Sequence, residues 1–370
     1  MVTEQWGGPR YIRQTSLPGF GLRSQKKLSE SSVLVVGAGG LGCPAALYLA
    51  GAGIGRLGIA DQDQIDLSNL QRQILYNTRD IGQKKVQIAG QRLKEFNPDT
   101  KLTLIEETIN RKNAASIVRD WDLVLDGTDN FQTRYLLHDI CYFLKKPYVY
   151  GSVFRFEGQA GVFCLPDEPC FRCVFPQPPP PESRPDCSES GVIGAVPGVI
   201  GSIQALESIK ILAGLRRQQK PKILIFDGLN LEVRHFNLEK NPSCPLCGVR
   251  PEMNSVDDAG LSEGPDDELA FRTSMSPEEF RNQKKQKKIM IIDVREPWEY
   301  KARSVGGMNI PLDNLEKSVL SQNMLKEDPI LLVCARGMRS YKALQVLQKI
   351  GYTKLKWLRG GIEACQGPNE

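Results

Sequence analysis

The chain has 370 residues, 41% of them hydrophobic and 25% charged, with a formal net charge of +5. That length exceeds one ordinary core and predicts two domains, and so small a positive excess gives no warrant for nucleic-acid binding. No apolar run approaches the roughly 18 residues a membrane helix needs, and the N-terminal MVTEQWGGPRYIRQ lacks the apolar centre of a signal peptide, so the expectation is a cytoplasmic protein with no membrane partner.

In chain order, SVLVVG (32–37) is a continuous apolar run ending in glycine, the pattern of a buried parallel strand. The stretch from there through Leu49 reads as a helix opened by glycines, and RLGIAD (56–61) as a second strand closing on an acid. Residues 86–96 read as helix, KLTLIEE (101–107) as extended, WDLVLDGTD (121–129) as a buried strand running into a polar loop, and PYVYGSV (147–153) as a further strand. This alternation predicts an α/β, Rossmann-like doubly wound sheet. PQPPPPESRPDCSES (176–190) has too much proline for regular structure and reads as a long crossover loop. A helix over 198–213 and strands at 222–227 and 231–238 complete a first domain, residues 1–249. Residues 250–269 are polar, acidic and aperiodic, the composition of a flexible linker. A smaller α/β unit then fills 270–370: MIIDVRE (290–296) and ILLVCARG (330–337) are strand-then-loop segments, and SYKALQVLQKIGY (340–352) is a helix stopped by Gly351.

Three features carry chemistry in the first domain. Gly37, Gly39, Gly40 and Gly42 follow a strand and open a helix, so backbone amides there can approach phosphate, and Asp61 ends the next strand within reach of ribose hydroxyls. NAD or FAD binding would explain this pattern as well as ATP. Asn69-Leu-Gln-Arg72-Gln73 and Gly82-Gln-Lys-Lys85 add cations on the same side of the sheet, which attack on an α-phosphate requires and hydride transfer does not. Asp126-Gly-Thr-Asp129-Asn130 stands at a strand's carboxyl end, where Asp129 could hold Mg²⁺.

Together and in order, these motifs resemble the E1-like family of adenylating enzymes that includes MoeB and ThiF, over about residues 8–249. The resemblance implies ATP-dependent adenylation of the C-terminal glycine carboxylate of a ubiquitin-like sulfur carrier protein, carried out by a homodimer. It implies Asp61 on ribose, Arg72 and Lys85 on the phosphates, and Asp129 on Mg²⁺. Gly37, Gly39, Gly40, Gly42, Asp63, Asn69, Gln73 and Asn130 would surround the nucleotide, and Arg13 would reach the phosphate site of the partner subunit. Lys85 is chosen over Lys84 because it precedes valine, as in the family's G-x-x-K-V pattern.

The 10 cysteines face a reducing cytosol, which favours metal binding and catalysis over disulfides. Cys170-Phe-Arg-Cys173 and Cys244-Pro-Leu-Cys247 are two C-x-x-C pairs, enough for a closed tetrahedral four-thiolate site of structural Zn²⁺ type. The family carries zinc at the matching pairs. Cys187, in the proline-rich loop, resembles the family's crossover cysteine, which is associated with a carrier conjugate or with resolving a persulfide.

In the second domain, Cys334-Ala-Arg-Gly-Met-Arg339-Ser340 follows the apolar strand ILLV, so the cysteine sits in a nest of backbone amides. Those amides and Arg339 are expected to lower the thiol pKa and stabilise a persulfide anion. Four residues separate Cys334 from Arg339, against five in phosphatase loops of similar type. IIDVREPWEY, GGMNIPL, CARGMRS and LRGG together resemble a rhodanese domain, with Asp293 and Arg295 as its structural pair; Lys301-Ala-Arg303 and Cys365 depart from the usual pattern.

An E1-like domain joined to a rhodanese domain is similar to the fused adenylyltransferase–sulfurtransferases of the MOCS3, Uba4 and MoeZ type. That resemblance implies ATP-driven adenylation of the carrier and then persulfide sulfur transfer from Cys334, giving a C-terminal thiocarboxylate for molybdopterin, thiamine or tRNA thiolation pathways. The sulfur donor would be a cysteine desulfurase-type protein or thiosulfate. Two alternatives stay open on the residues: a NAD- or FAD-dependent oxidoreductase with a rhodanese appendix, and a non-catalytic docking protein for sulfur carriers.

Overall fold

A computed structural model describes residues 8–178, 191–215, 220–260, 273–286, 289–321, 324–335 and 337–365. Cys187 and residues 261–269 lie outside the described residues. The chain divides into two units, Met1–Ser262 and Glu263–Glu370, each with its own sheet.

The first unit opens with helix α1 (Gly21–Glu30) and strand β1 (Ser32–Val36), followed by helix α2 (Gly42–Ala52) and β2 (Arg56–Ala60). Helix α3 (Lys85–Phe96), β3 (Lys101–Ile105), α4 (Ala114–Arg119), β4 (Leu123–Asp126), α5 (Phe131–Phe143) and β5 (Tyr148–Phe154) continue the alternation. The strands β3-β2-β1-β4-β5 lie in that order and run parallel. Successive residues of β1 serve opposite cores: Val33 and Val35 pack with Leu49, Leu57 and Val86, and Leu34 and Val36 with Trp121, Tyr135 and Ile140. Burial on both faces is why this strand reads as an unbroken apolar run.

The sheet then departs from a purely parallel plan. Strands β6 (Glu157–Phe163), β7 (Lys222–Asp227) and β8 (Glu232–Asn237) extend it in antiparallel pairing. Strand β6 is not visible in the sequence pattern because Gly158 and Gly161 interrupt it. At Gly158 the reason is close packing of helix α6 (Ala195–Leu212): a Cβ there would lie 2.3 Å from Ile200 Cγ1, and one on Gly151 of β5 2.4 Å from Gln204 Cδ. Helix α6 also corrects the expectation about membrane-length segments, since its 18 residues are long and apolar enough to cross a bilayer. It packs against α2, β5 and β6, and Gln204 anchors it to the sheet by donating to Asp126 O at 2.7 Å and Val149 O at 3.2 Å.

The expected linker does not begin at residue 250. Glu252 and Met253 donate to Pro245 O, Asp258 closes a turn on Asn254 and Ser255, and Val256 and Ala259 pack in the core beside α5. Acidic composition suggested a solvated segment; Asp258 instead caps a turn that buries Ala259 and half-buries Val256.

The second unit contains β9 (Ser274–Met275), α7 (Pro277–Gln286), β10 (Met290–Asp293), α8 (Pro297–Ala302), β11 (Met308–Asn309), α9 (Leu315–Ser321), β12 (Ile330–Val333), α10 (Met338–Lys349) and β13 (Leu355–Leu358). Its sheet runs β11-β10-β12-β13-β9, all parallel. Asp293 and Arg295 form a buried bidentate pair (Nε to Oδ1 3.0 Å, Nη2 to Oδ2 2.7 Å) beside β10.

Candidate functional site

Register assembles the first site. Val36 pairs with both Ala60 and Asp126, so Gly37, Asp61 and Gly127 leave the sheet side by side. Gly37 has φ +92°, and a Cβ there would meet Gly127 O at 2.6 Å; Gly42 packs so tightly that its Cβ would strike Gly37 O. Only glycine allows this turn to bring its amides to the mouth of the sheet.

Around the turn the structure gathers most of the residues expected there. Asp61 Oδ2 accepts the Ala38 amide at 2.8 Å, and Oδ1 accepts the Asp63 amide at 2.9 Å. Burial pushes the Asp61 carboxyl above its usual range, opposed by Lys85 and these amides. Lys85, only 6% exposed, places Nζ 2.8 Å from Asp63 Oδ2 and 3.9 Å from Asp61 Oδ2. Lys84 points elsewhere, donating to Gln62 O at 3.0 Å, so the geometry favours Lys85. Arg72 is half-buried, its Cγ 3.3 Å from where a Gly40 Cβ would stand, and its Nη1 donates to Ser68 O at 3.0 Å. Gln73 is buried beside Gly39, and its Oε1 has no hydrogen-bond partner among the described residues. An unsatisfied buried carbonyl costs about 1–3 kcal/mol and fits a site completed by a ligand donor. Asp129 is exposed at the mouth, beyond the buried Thr128.

Three expected residues are engaged otherwise or elsewhere. Asn69 caps the turn Leu67–Asn69, accepting the Asp66 amide at 3.2 Å, and Asn130 caps α5, accepting the Thr133 amide at 2.9 Å. Both side chains are occupied by local backbone groups, as their type favours. Arg13 is exposed on the one-turn helix Ile12–Thr15.

Sequence reasoning missed the support beneath the Gly127–Asn130 loop. Buried Asp126 accepts from Thr128 N at 2.8 Å, Arg134 Nε at 3.0 Å and Tyr148 OH at 2.6 Å. Arg134 in turn donates to Thr128 O and Gly151 O at 2.7 and 3.1 Å. An acid at the end of the apolar run LVLD, and an arginine on a mostly buried helix, were the available signals.

The two C-x-x-C pairs converge. Sγ atoms lie 3.5 Å apart for Cys170–Cys244, 3.3 Å for Cys173–Cys247 and 3.8 Å for Cys170–Cys173, and all four lie within 4.8 Å of one another. Tetrahedral zinc at about 2.3 Å from each sulfur needs edges of about 3.8 Å, so the donor set fits. Behind it stands a second network that the sequence did not reveal. Phe171 N donates to His138 Nε2 at 2.9 Å, leaving Nδ1–H to donate to Asp139 Oδ1 at 3.0 Å. Asp139 also accepts from Arg172 Nε and Nη2 at 2.8 and 2.7 Å and from Gly260 N at 2.8 Å. Burial would raise the Asp139 carboxyl, but the hydrogen bonds from Arg172 and His138 hold it below the usual carboxylate range.

In the second unit Cys334 ends β12 and is 1% exposed. Its Sγ accepts from Gly337 N at 3.1 Å and Ser340 N at 3.4 Å, with Ser340 Oγ at 3.5 Å. The amide nest is therefore present. Arg339 is not aimed as expected: Nη1 and Nη2 donate to Glu299 Oε2 and Oε1 at 2.7 and 2.8 Å. Glu299 also closes the N-terminal cap of α8 by accepting Glu296 N at 2.9 Å. The cation is matched by a carboxylate, so the described polar contacts to the sulfur come from backbone N–H groups and a hydroxyl.

The sequence matches the ThiF family over residues 11–246 and a rhodanese-like domain over residues 276–367. A Drosophila ananassae protein named adenylyltransferase and sulfurtransferase MOCS3 is 40% identical over 375 residues, covering 96% of this chain and 82% of that protein. A Zea mays protein named adenylyltransferase and sulfurtransferase MOCS3-1 is 39% identical over 376 residues, covering 96% and 80%. Among solved structures, E. coli MccB with ATP has a TM-score of 0.57 at 21% identity, covering 66% of this chain and 75% of that one. At that identity the likeness speaks for the fold alone.

Proposed function

This chain belongs to the ThiF family and carries a rhodanese-like domain behind it, and from that premise we propose that it adenylates the C-terminal glycine of a ubiquitin-like sulfur carrier and then delivers sulfur to it from Cys334. It is an adenylyltransferase and a sulfurtransferase in one polypeptide. The observation that carries the reading is the convergence of the glycine turn, Arg72, Lys85 and Asp129 at one end of the first sheet, on a chain that also holds Cys334 in an amide nest.

In the first step a carrier carboxylate oxygen attacks the α-phosphorus of ATP and pyrophosphate leaves with the bonding pair. The amides of the glycine turn, Arg72 and Lys85 would stabilise the charge that develops there, and Asp61 would hold the ribose. Asp129, exposed at the strand end, would hold Mg²⁺, which supplies charge neutralisation on the phosphates when bound. Asp63 holds Lys85 in place. Arg13 is assigned to the nucleotide site of a partner subunit in a homodimer. The four thiolates would hold Zn²⁺ structurally, because a closed shell leaves no position for substrate.

In the second step the outer sulfur of a Cys334 persulfide attacks the acyl carbon and AMP leaves. The outer sulfur would stand about 2 Å further along the S–S bond than the buried Cys334 sulfur. A thiolate, assigned to Cys187, then attacks the Cys334 sulfur of the acyl disulfide; the thiocarboxylate departs and a disulfide between the two cysteines remains for an external dithiol to reduce. Free thiols in these roles suit the cytosol. A desulfurase-type protein persulfide or thiosulfate would load Cys334.

Exchange of labelled pyrophosphate into ATP, dependent on added carrier, tests the first step: Asp129→Ala should lower it at least about hundredfold, and unchanged exchange removes Asp129 from the site. Mass-detected persulfide on Cys334, absent in Cys334→Ala, tests the second.

A further inference from the structure

Ala38, buried between Gly37 and Gly39 of the turn, is gripped on both of its peptide groups. Its N–H donates to Asp61 Oδ2 at 2.8 Å. Its carbonyl accepts from the Tyr76 hydroxyl at 2.9 Å and from the Cys43 thiol at 3.3 Å. Both donors are buried. Burial pushes the Cys43 thiol up to about 12 and the Tyr76 phenol far above its ordinary range, so each keeps the proton it donates at neutral pH. Phenylalanine at position 76 would fill the same space. What the hydroxyl adds is its bond to the Ala38 carbonyl, and a buried hydroxyl is costly unless so bonded.

The direction of that carbonyl matters because the peptide group is planar. The Ala38–Gly39 bond is trans, so the Ala38 carbonyl and the Gly39 N–H point in opposite directions. With the carbonyl drawn toward Tyr76 and Cys43, the N–H of half-buried Gly39 points away from them, and it has no hydrogen-bond partner among the described residues. Gln73 and Arg72 lie against this stretch: Gln73 Nε2 stands 3.8 Å from a Cβ on Gly39, and Arg72 Cγ 3.3 Å from one on Gly40. Tyr76 belongs to the segment that carries both, its N–H donating to Gln73 O at 3.2 Å. One hydroxyl thus fixes a peptide plane of the turn and ties the Arg72–Gln73 segment to it.

We propose that Tyr76, assisted by Cys43, is a positioning residue of the nucleotide site, which turns the Gly39 N–H outward as a phosphate donor and sets its register with Arg72. The inference rests on the adenylation step proposed above. Neither side chain touches the nucleotide; both act through the Ala38 carbonyl. The thiol is the weaker donor, so its share is the smaller.

Tyr76→Phe in the full chain removes one oxygen and keeps the ring. ATP should bind about fivefold more weakly, the worth of one hydrogen bond. The same factor should appear in KM for ATP in carrier-dependent pyrophosphate exchange, with kcat within about twofold, because the donor grips ground-state and transition-state phosphates alike. Inhibition by adenosine, which has a ribose but no phosphate, should be unchanged, as should persulfide loading of Cys334. Cys43→Ala should move the ATP values the same way by about twofold. Unchanged ATP binding in Tyr76→Phe overturns the proposal. So does an equal loss for adenosine and ATP, the mark of a loosened fold rather than a misaimed donor. A parent chain that binds ATP yet shows no carrier-dependent exchange overturns the adenylation step, while the ATP and adenosine affinities still decide the role of Tyr76; a parent chain that binds no ATP overturns both.

Discussion

The two units manage negative charge in opposite ways. At the glycine turn of the first unit, side-chain charges stand beside the amides: Lys85 is buried against Asp61 and Asp63, with Arg72 alongside. At Cys334 the backbone serves, through Gly337 and Ser340 amides, and Arg339 is matched by Glu299. The Gly127–Asn130 loop rests on the buried Asp126–Arg134 pair, and a second buried pair, Asp293–Arg295, lies beside β10 in the other unit. The difference fits the charge each proposed site would handle. A triphosphate spreads several charges over many oxygens and calls for fixed side-chain cations, whereas a persulfide would be one charge on one sulfur, which two or three fixed dipoles can match.

Four measurements would break or sharpen this contrast. Cys334→Ser should reduce persulfide loading and thiocarboxylate formation to background while leaving carrier-dependent pyrophosphate exchange at the parent rate; residual transfer would place the sulfur elsewhere. Lys85→Met, which leaves two acids beside the phosphates, should cut pyrophosphate exchange by about 10²–10³-fold without touching Cys334 loading. Removing metal with a chelator should release one zinc equivalent per chain and lower the melting temperature of the first unit by more than about 10 °C, with persulfide loading preserved in the second; a metal-free protein with unaltered melting would remove the structural role. The smallest effect belongs to the Glu299–Arg339 pair. A double-mutant cycle of Glu299→Gln and Arg339→Met, read by denaturant midpoint, should give a coupling of roughly 1 kcal/mol.

That pair also has a pH signature. The hydrogen bonds from Arg339 hold the Glu299 carboxyl below its usual range. A depressed carboxylate contributes stability that is present above its unfolded value, about 4.3, and is lost as pH falls through the lower native value. The stability difference between the parent chain and Glu299→Gln should therefore be level from pH 7 to 5 and shrink below about pH 4.3.

Much of the molecule was legible in residue order because its signals are local. An apolar run closing on glycine gives β1 and the turn, and two C-x-x-C pairs specify a thiolate cluster wherever the chain brings them. Asn69 and Asn130 show what motif position leaves out: both lie in the expected loops, and the Oδ1 of each accepts an amide within three residues, a local bond the motif does not record. Arg339 shows the same for charge, since its spacing from Cys334 is local and its partner Glu299 is 40 residues away. Strand β6 was hidden because Gly158 answers to α6 and Gly161 sits against Ile223 and Phe163, long-range packing demands that no β-propensity records.

The sequence by itself determined two α/β units, a glycine turn with cations near it, a four-cysteine cluster that could hold a metal and a thiol at a strand end. Each is written in contiguous residues or in one repeated spacing, which the chain carries in any conformation. Only the tertiary structure decided which charges are matched, that Lys85 and not Lys84 faces the acids, and that the supposed linker stays bound as far as Gly260. Those outcomes depend on distances of about 3 Å between residues tens of positions apart, and hydrogen-bond energy falls away too steeply with distance and angle for spacing along the chain to anticipate them.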